Sequence, residues 1–291
     1  MEFSGNHNSG AHVFLFPFPT SGHIIPLLDL ANHLINHNVN LTILVTTPLI
    51  LPLLEPIRAT HSSNSIQTLV LQVPEPPVGS NFATRIRSTF ELYDPIVDWF
   101  NTHTSPPVAI ISDFFLGWTH QQACRLGIRR IVFWPSGAFT CLVMSHKWRN
   151  LEEIFAKSDE NCLVTFDNIP NNPEYPRQQV CTLSSQYRKG DRDWEFVRRG
   201  LLDNEKSWGA LFNSCGEIEG VFIDGLKRQT GHDRVWAVGP LIQLDSNVVG
   251  PYYSQRGGLS AMPHDEVMTW LDDKADDSVV YVCFGSLSTL T

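Results

Sequence analysis

The sequence predicts an α/β fold built on a doubly wound parallel sheet, and three observations carry that prediction. Short apolar runs rich in β-branched and aromatic residues recur along the chain, most of them separated by helical patterns. The first strand, helix and strand read as one βαβ unit, the building block of parallel sheets. At 291 residues with 42% hydrophobic composition, the chain has enough apolar material for one large domain or two modest ones.

The βαβ unit starts with a strand from His12 to Phe18 and continues with a helix from Ile24 to Asn36. On that helix Ile24, Leu27, Leu28, Ala31, Leu34 and Ile35 share one face, with Asp29, Asn32 and His33 opposite. Leu41 to Thr46 is the second strand, and further strands are expected at Gln67 to Val73, Val108 to Ser112, Arg130 to Trp134, Ala210 to Asn213 and Val235 to Val238. From Lys157 to Gly190 the chain carries Pro170, Pro173 and Pro176 among many Asn and Ser residues, an irregular excursion of the kind that shapes a binding mouth. Leu241 to Pro263 is loose, polar and Gly-containing, and reads as an interdomain linker. This divides the chain into a domain over 1–240, a linker over 241–263 and the start of a second domain over 264–291. In that last part a short amphipathic helix with Val267, Trp270 and Leu271 precedes a terminal strand, Val279 to Phe284, which runs into Gly285-Ser286. Such a strand is either the last of one domain or the opening of another, and a Gly-Ser turn after it is a common place for backbone N–H groups to meet a phosphate.

A net charge of −9 argues against nucleic acid or an anionic membrane as the main partner, since both reward basic surface. The six cysteines form no CxxC pair and show no metal-ligand spacing, so they read as reduced core thiols. The polar N-terminus lacks a basic region, and Pro17 and Pro19 break the apolar run that follows. A cytoplasmic protein is the expectation.

Open α/β sheets bind ligands at the carboxyl edge of their strands. The stretch FPFPTSGHIIPLLDL places Gly22 and His23 at that edge, in the turn before the first helix, with Pro26 expected in its first turn. A histidine there is either a structural loop residue or a general base titrating near neutral pH. Asp113 closes the strand VAIIS at the same edge. It either caps the next helix, FFLGWTHQQACRLG, or accepts the His23 Nδ1–H, which fixes the tautomer and leaves Nε2 free to take a proton. Phe16, Phe18, Trp134 and Phe139 lie at or near strand ends, where they line a pocket or pack the core. His33 and His37 are spaced as metal ligands could be but lack a nearby acidic or Cys partner, and a solvated helix face is the simpler reading. Glu217 and Glu219 suit the start of a helix after Ser214-Cys215-Gly216. No GxGxxG, GxxxxGK[ST] or GxSxG occurs, which counts against dinucleotide binding, a P-loop and an α/β-hydrolase elbow.

With FPFPTSGHIIPLLDL, SDFFLGWTHQQACRLGI, GHDRVWAVGPL and VVYVCFGS in that order, the chain resembles a plant family 1 UDP-sugar glycosyltransferase over essentially its whole length. It is similar above all to the subfamily that acts on the flavonol 7-hydroxyl or on small dihydroxybenzoates. The resemblance implies a GT-B architecture of two facing Rossmann-like domains, the first holding the acceptor and the second most of the UDP-sugar. This chain would be the first domain, the linker and the opening of the second. The signature box of the donor domain, with its His-Cys-Gly-Trp-Asn-Ser core, does not occur in these 291 residues.

By position, the resemblance implies that His23 is the base that deprotonates the acceptor hydroxyl and Asp113 its orienting partner. Ser286 would contact the donor diphosphate. Ser136 falls near a position that touches the donor sugar, with Pro135 as a rival should the alignment slip by one. Ser21, Phe18 and Phe139 stand as acceptor contacts. Thr20-Ser21 replaces the Ala-Gln common in the family, so contacts beside His23 are open to change, whereas Arg129 in place of a Pro is expected to be neutral. The implied reaction is an inverting, metal-free O-transfer of a hexose, glucose above all, to a flavonoid or small phenolic. By the same resemblance UDP-sugar would serve as co-substrate, with no other cofactor, and the protein would be a monomer. The 1–291 chain alone is expected to bind acceptor weakly and turn over little. The alternative is a non-catalytic module that binds a phenolic or pairs with a full-length transferase.

Overall fold

The apolar runs become the strands of one parallel sheet. The computed structural model describes residues 10–62, 65–156, 159, 161–180, 184–241 and 262–283. In chain order these form β1 (His12–Phe16), α1 (Ser21–Asn36), β2 (Asn40–Val45), α2 (Ile50–Thr60), β3 (Ile66–Val70), α3 (Phe82–Ser88), α4 (Tyr93–Thr102), β4 (Ala109–Asp113), α5 (Thr119–Leu126) and β5 (Arg129–Trp134). There follow α6 (Ala138–Arg149), α7 (Leu151–Ala156), β6 (Leu163–Thr165), β7 (Glu174–Pro176), α8 (Arg177–Val180), α9 (Arg192–Asp203), β8 (Gly209–Phe212), α10 (Gly216–Thr230), β9 (Val235–Ala237) and α11 (His264–Asp272).

Seven strands pair in the order β3-β2-β1-β4-β5-β8-β9, every neighbouring pair parallel. The chain winds outward from β1 through β2 to β3, then returns to the other side of β1 as β4. The carboxyl ends of β1 and β4 therefore bound the crevice where winding changes direction, which is where open α/β sheets take ligands. Side chains alternate across the sheet. Phe14 and Phe16 enter a core with Trp118, Trp148 and Phe212, whereas Leu15 enters a second core with α1 and α2.

Several expected boundaries move for identifiable reasons. β1 ends at Phe16 because Pro17 and Pro19 cannot extend a ladder on both sides, and α1 starts three residues early at Ser21. Pro26 therefore lies in the second turn of α1, not the first, and denies a donor to the carbonyl of the exposed Gly22. Asp29, expected in solvent, is buried. The expected helix after Asp113 splits into a 3₁₀ turn, Phe114–Leu116, and α5, which ends on Gly127 in the left-handed conformation at φ 67°. Within 157–190 the described residues hold an antiparallel β6–β7 hairpin and α8.

The terminal strand from Val279 does not form over its described part, 279–283. These residues pair with no strand among the described residues, and Val280 and Tyr281 are 82% and 87% exposed. A β-strand is held by its ladder, so apolar composition alone does not make one. The short helix expected just before is present as α11, with Val267, Trp270 and Leu271 exposed. Most of the expected linker, and Ser286, lie outside the described residues. The cysteines depart from the core-thiol expectation. Among the five described ones only Cys141 is buried, and Cys124 and Cys283 are exposed. No described helix is long and apolar enough to cross a membrane.

Candidate active site

His23 owes its position to the turn between β1 and α1. Thr20 takes an extended conformation, φ −135° and ψ 146°, and its carbonyl accepts the N–H groups of His23 and Ile24, both at 2.9 Å. This fixes His23 in the first helical turn. The Thr20 hydroxyl does not cap α1, and its Oγ1 is buried without a hydrogen-bond partner among the described residues. A Cβ added at Gly22 would meet nothing within 4 Å, so open space adjoins the histidine on that side.

Asp113 ends β4 one residue beyond the register pair of Phe16 with Ser112. Its Oδ2 lies 2.6 Å from His23 Nδ1, with the carboxylate fully buried and the imidazole 13% exposed. A carboxylate can only accept, so Nδ1–H donates to it, and in the neutral ring the lone pair is on Nε2. Among the described residues Nε2 has no hydrogen-bond partner. The other oxygen, Oδ1, accepts the Phe115 N–H at 2.9 Å. The two readings of Asp113 thus hold together, since one carboxylate caps the 3₁₀ turn and orients the imidazole.

Aromatic rings enclose the pair. Phe18, Phe114 and Phe115 place their ring centroids 5.6, 5.6 and 5.1 Å from His23. Phe114 stacks on Trp134 at 4.2 Å with 9° between planes, and Phe82 packs edge-on against Phe115 at 5.0 Å. Offset and edge contacts of this kind contribute about 0.5–1.5 kcal/mol each beyond buried area. They also shield the His23–Asp113 hydrogen bond from water, which strengthens its electrostatics.

The remaining candidates sort by place. Ser21 is the first residue of α1, part-exposed and two positions before His23. Phe18 is a buried wall, 2% exposed. Phe139 is not brought to His23. It lines an open cleft of about 420 Å³ at the starts of α6 and α10, with Tyr175 and Phe222 among its neighbours. Ser136 follows β5 at the same sheet edge, its Oγ buried and without a hydrogen-bond partner among the described residues. Phe16 and Trp134 are core residues. His33 and His37 do not face each other as ligands. His33 Nε2 is 3.1 Å from the Leu241 carbonyl and His37 Nδ1 is 2.9 Å from the His33 carbonyl. His33 thus ties α1 to the chain after β9 and is not a simply solvated residue. Among the described residues, no cluster of three or more His, Cys, Asp or Glu could hold a metal.

Glu219 was expected to serve its own helix, α10. Its carboxylate instead accepts the N–H groups of Ala138 and Phe139 at 2.8 and 3.0 Å, capping the start of α6. Gly137 makes room for it, since a Cβ there would come within 2.2 Å of a Glu219 oxygen. Arg130 also escaped notice in the sequence. It is a buried guanidinium near Asp113, and an Arg at the start of a predicted strand gives no sign of that.

Comparison with known proteins places this chain in a family. The family model described as "Glycosyltransferase, N-terminal domain" matches residues 58–243, well over half of the chain. UDP-glycosyltransferase 89B2 of Stevia rebaudiana is 42% identical across 98% of this chain and 61% of its own length. Flavonol 3-O-glucosyltransferase UGT89B1 of Arabidopsis thaliana is 41% identical with the same coverage, 98% and 61%. The chain therefore spans about three fifths of the length of these relatives. Among solved structures, Arabidopsis thaliana UGT89C1 complexed with UDP-L-rhamnose superposes with a TM-score of 0.67 at 28% identity, covering 97% of this chain and 59% of that one. The same protein complexed with quercetin gives 0.66 at 26%, covering 97% and 60%. The chain belongs to the glycosyltransferase N-terminal domain family, and its sheet has the first-domain fold of the GT-B enzymes it superposes on.

Proposed function

We propose that this chain supplies the acceptor-binding, base-bearing part of a UDP-sugar-dependent O-glycosyltransferase acting on a flavonol or related phenolic hydroxyl. The observation that carries the reading is the His23 imidazole, with Nδ1 committed to a buried carboxylate and Nε2 open, in the crevice between β1 and β4. In the proposed reaction the acceptor oxygen attacks the anomeric carbon, the bond to the UDP oxygen breaks on the opposite face, and the configuration inverts. His23 Nε2 takes the phenolic proton as attack proceeds, and Asp113 stabilises the imidazolium that forms. A phenol of pKa about 10 against an ordinary imidazole of about 6.5 is the regime in which a general base contributes roughly 10²–10⁴-fold. The scheme needs no metal.

The donor side is the extension of the same reading. Residues 1–240 form the acceptor domain, 241–263 the linker and 264–291 the opening of the donor domain. Ser286 and Ser136 meet the diphosphate and the sugar, and N–H groups at helix starts share the negative charge. Ser21 and Phe18 border the acceptor beside His23, with Phe139 at a more distant rim. The protein works as a cytoplasmic monomer. Glucose is the proposed donor sugar, supported by the name of the 41% identical relative. The neighbour solved with UDP-L-rhamnose makes that sugar the first competitor to test. The flavonol 3-hydroxyl is favoured by the relative's name and the 7-hydroxyl by the sequence resemblance.

The test is a chimera that continues this chain after Ser286 with the donor domain of the Arabidopsis flavonol 3-O-glucosyltransferase. Incubated with quercetin and UDP-glucose or UDP-rhamnose, it is expected to form a quercetin monoglycoside, whose position mass spectrometry and NMR assign. A folded chimera that binds UDP-sugar and makes no glycoside with any phenolic acceptor overturns the reading.

A further inference from the structure

Around the turn that carries Asp113 lies a buried polar network that the reaction scheme does not use. Arg130, the second residue of β5, is 2% exposed. Its Nε donates to Ser112 Oγ at 3.0 Å, and one terminal nitrogen donates to Asn204 Oδ1 and Ser207 Oγ, both at 2.8 Å. The other terminal nitrogen faces the carbonyls of Asp113 and Leu116 at 3.4 and 3.5 Å. Asn204, 5% exposed, completes the frame by donating its Nδ2 to the Phe114 carbonyl at 2.8 Å.

No carboxylate among the described residues lies within ion-pairing distance of Arg130. Burial without a contact counter-ion pulls its pKa down to about 9, opposed by the charges of Asp113 and Asp203, so the group is still cationic at neutral pH. A buried cation held only by neutral acceptors is an expensive way to fill space. An apolar residue would pack β5 at lower cost, and the geometry shows what the guanidinium does instead. Its fork reaches both ends of the 113–116 turn, and Asn204 holds the middle. That short turn carries the carboxylate that orients His23 and two of the three rings packed on it.

We propose that Arg130 and Asn204 are positioning residues that lock the Asp113–Leu116 turn and so fix the His23 imidazole in the tautomer with Nε2 free. The proposal rests on the reading of His23 as base, but its test does not require turnover. The 1–291 chain with ¹⁵N-labelled histidine is examined by NMR at a pH where the imidazole is neutral. The wild-type chain is expected to show His23 with a protonated Nδ1, a bare Nε2 and a slowly exchanging Nδ1 proton. Asn204→Ala keeps Arg130 and its charge, and is expected to lose that proton resonance and mix the tautomers while the backbone amide spectrum stays folded. Arg130→Met is expected to do the same wherever it folds.

Asp113→Asn serves as the reference that loses the signature, because the amide oxygen keeps the Phe115 N–H and the NH2 then faces His23 Nδ1. If Asn204→Ala lowers only the melting temperature and leaves the His23 signature as in wild type, the network is structural and the proposal is overturned while the His23–Asp113 reading stands. If the wild-type chain lacks the signature, the orienting role of Asp113 fails, and this proposal with it.

Discussion

A histidine stands near each end of β1, His12 opening the strand and His23 in the first turn of the helix that follows it, and the two have opposite fates. At the amino edge His12 uses both ring nitrogens, Nδ1 at 2.7 Å from the Ser105 carbonyl and Nε2 at 2.8 Å from Thr42 Oγ1, and its ring lies 5.5 Å from that of His103. At the carboxyl edge His23 uses one nitrogen, on Asp113, and keeps the other open. Burial does not separate the two, since both are partly buried. What separates them is spare bonding capacity: a saturated imidazole can only hold structure, whereas one oriented on a single side can move a proton.

The predictions press on that contrast, and the largest concerns catalysis. In the active chimera His23→Ala is expected to lower kcat by roughly 10²–10⁴-fold, whereas His12→Ala leaves it within about twofold. Asp113→Asn offers an amide where the imidazole needs an acceptor, so it is expected to lower kcat by roughly 10²-fold or more while KM for the acceptor changes far less. On stability, Gly137→Ala drives a methyl into the Glu219 carboxylate and is expected to cost about 1–3 kcal/mol in denaturant unfolding. Glu219→Ala removes the cap from α6 and is expected to cost about 0.5–2 kcal/mol.

The smallest effect is a pH dependence away from the active site. The pKa values of His12, His120 and His146 are each lowered from the ordinary 6.5, chiefly by burial. The unfolded chain therefore binds protons more readily than the folded one just below that value. Their contribution to stability is complete above about pH 6.5 and is lost as pH falls towards the depressed folded values. The melting temperature is expected to fall between pH 7.5 and 5.5, with a shallower slope in His12→Gln. An unchanged slope in that variant would assign the effect to the other two histidines.

The difference between local and distant partners also explains what could be read in the sequence. β1, α1 and β4 announce themselves by apolar period, and their order places His23 and Asp113 at one sheet edge before any coordinates are known. Arg130 and Glu219 could not be read. Their partners, Asn204 and Ala138, lie some 74 and 81 positions away in the chain, and nothing in the local pattern around either residue reports them. The strand expected at Val279 shows the reverse failure. Its local pattern is strong, but a strand needs a ladder, and the described residues offer none. His33 reads as solvated in the sequence because its contact, the Leu241 carbonyl, returns only after the whole sheet has been built.

The central claim is that the open nitrogen of His23 accepts the proton of the attacking hydroxyl. The most direct measurement is kcat/KM of the chimera against pH, for the wild-type sequence and for His23→Ala. The account predicts that log kcat/KM of the wild type rises with unit slope and then levels as one group deprotonates, and that the inflection vanishes in His23→Ala, leaving a slow rate that follows ionisation of the phenol itself. An inflection that persists unchanged in His23→Ala would place the base elsewhere and contradict the account.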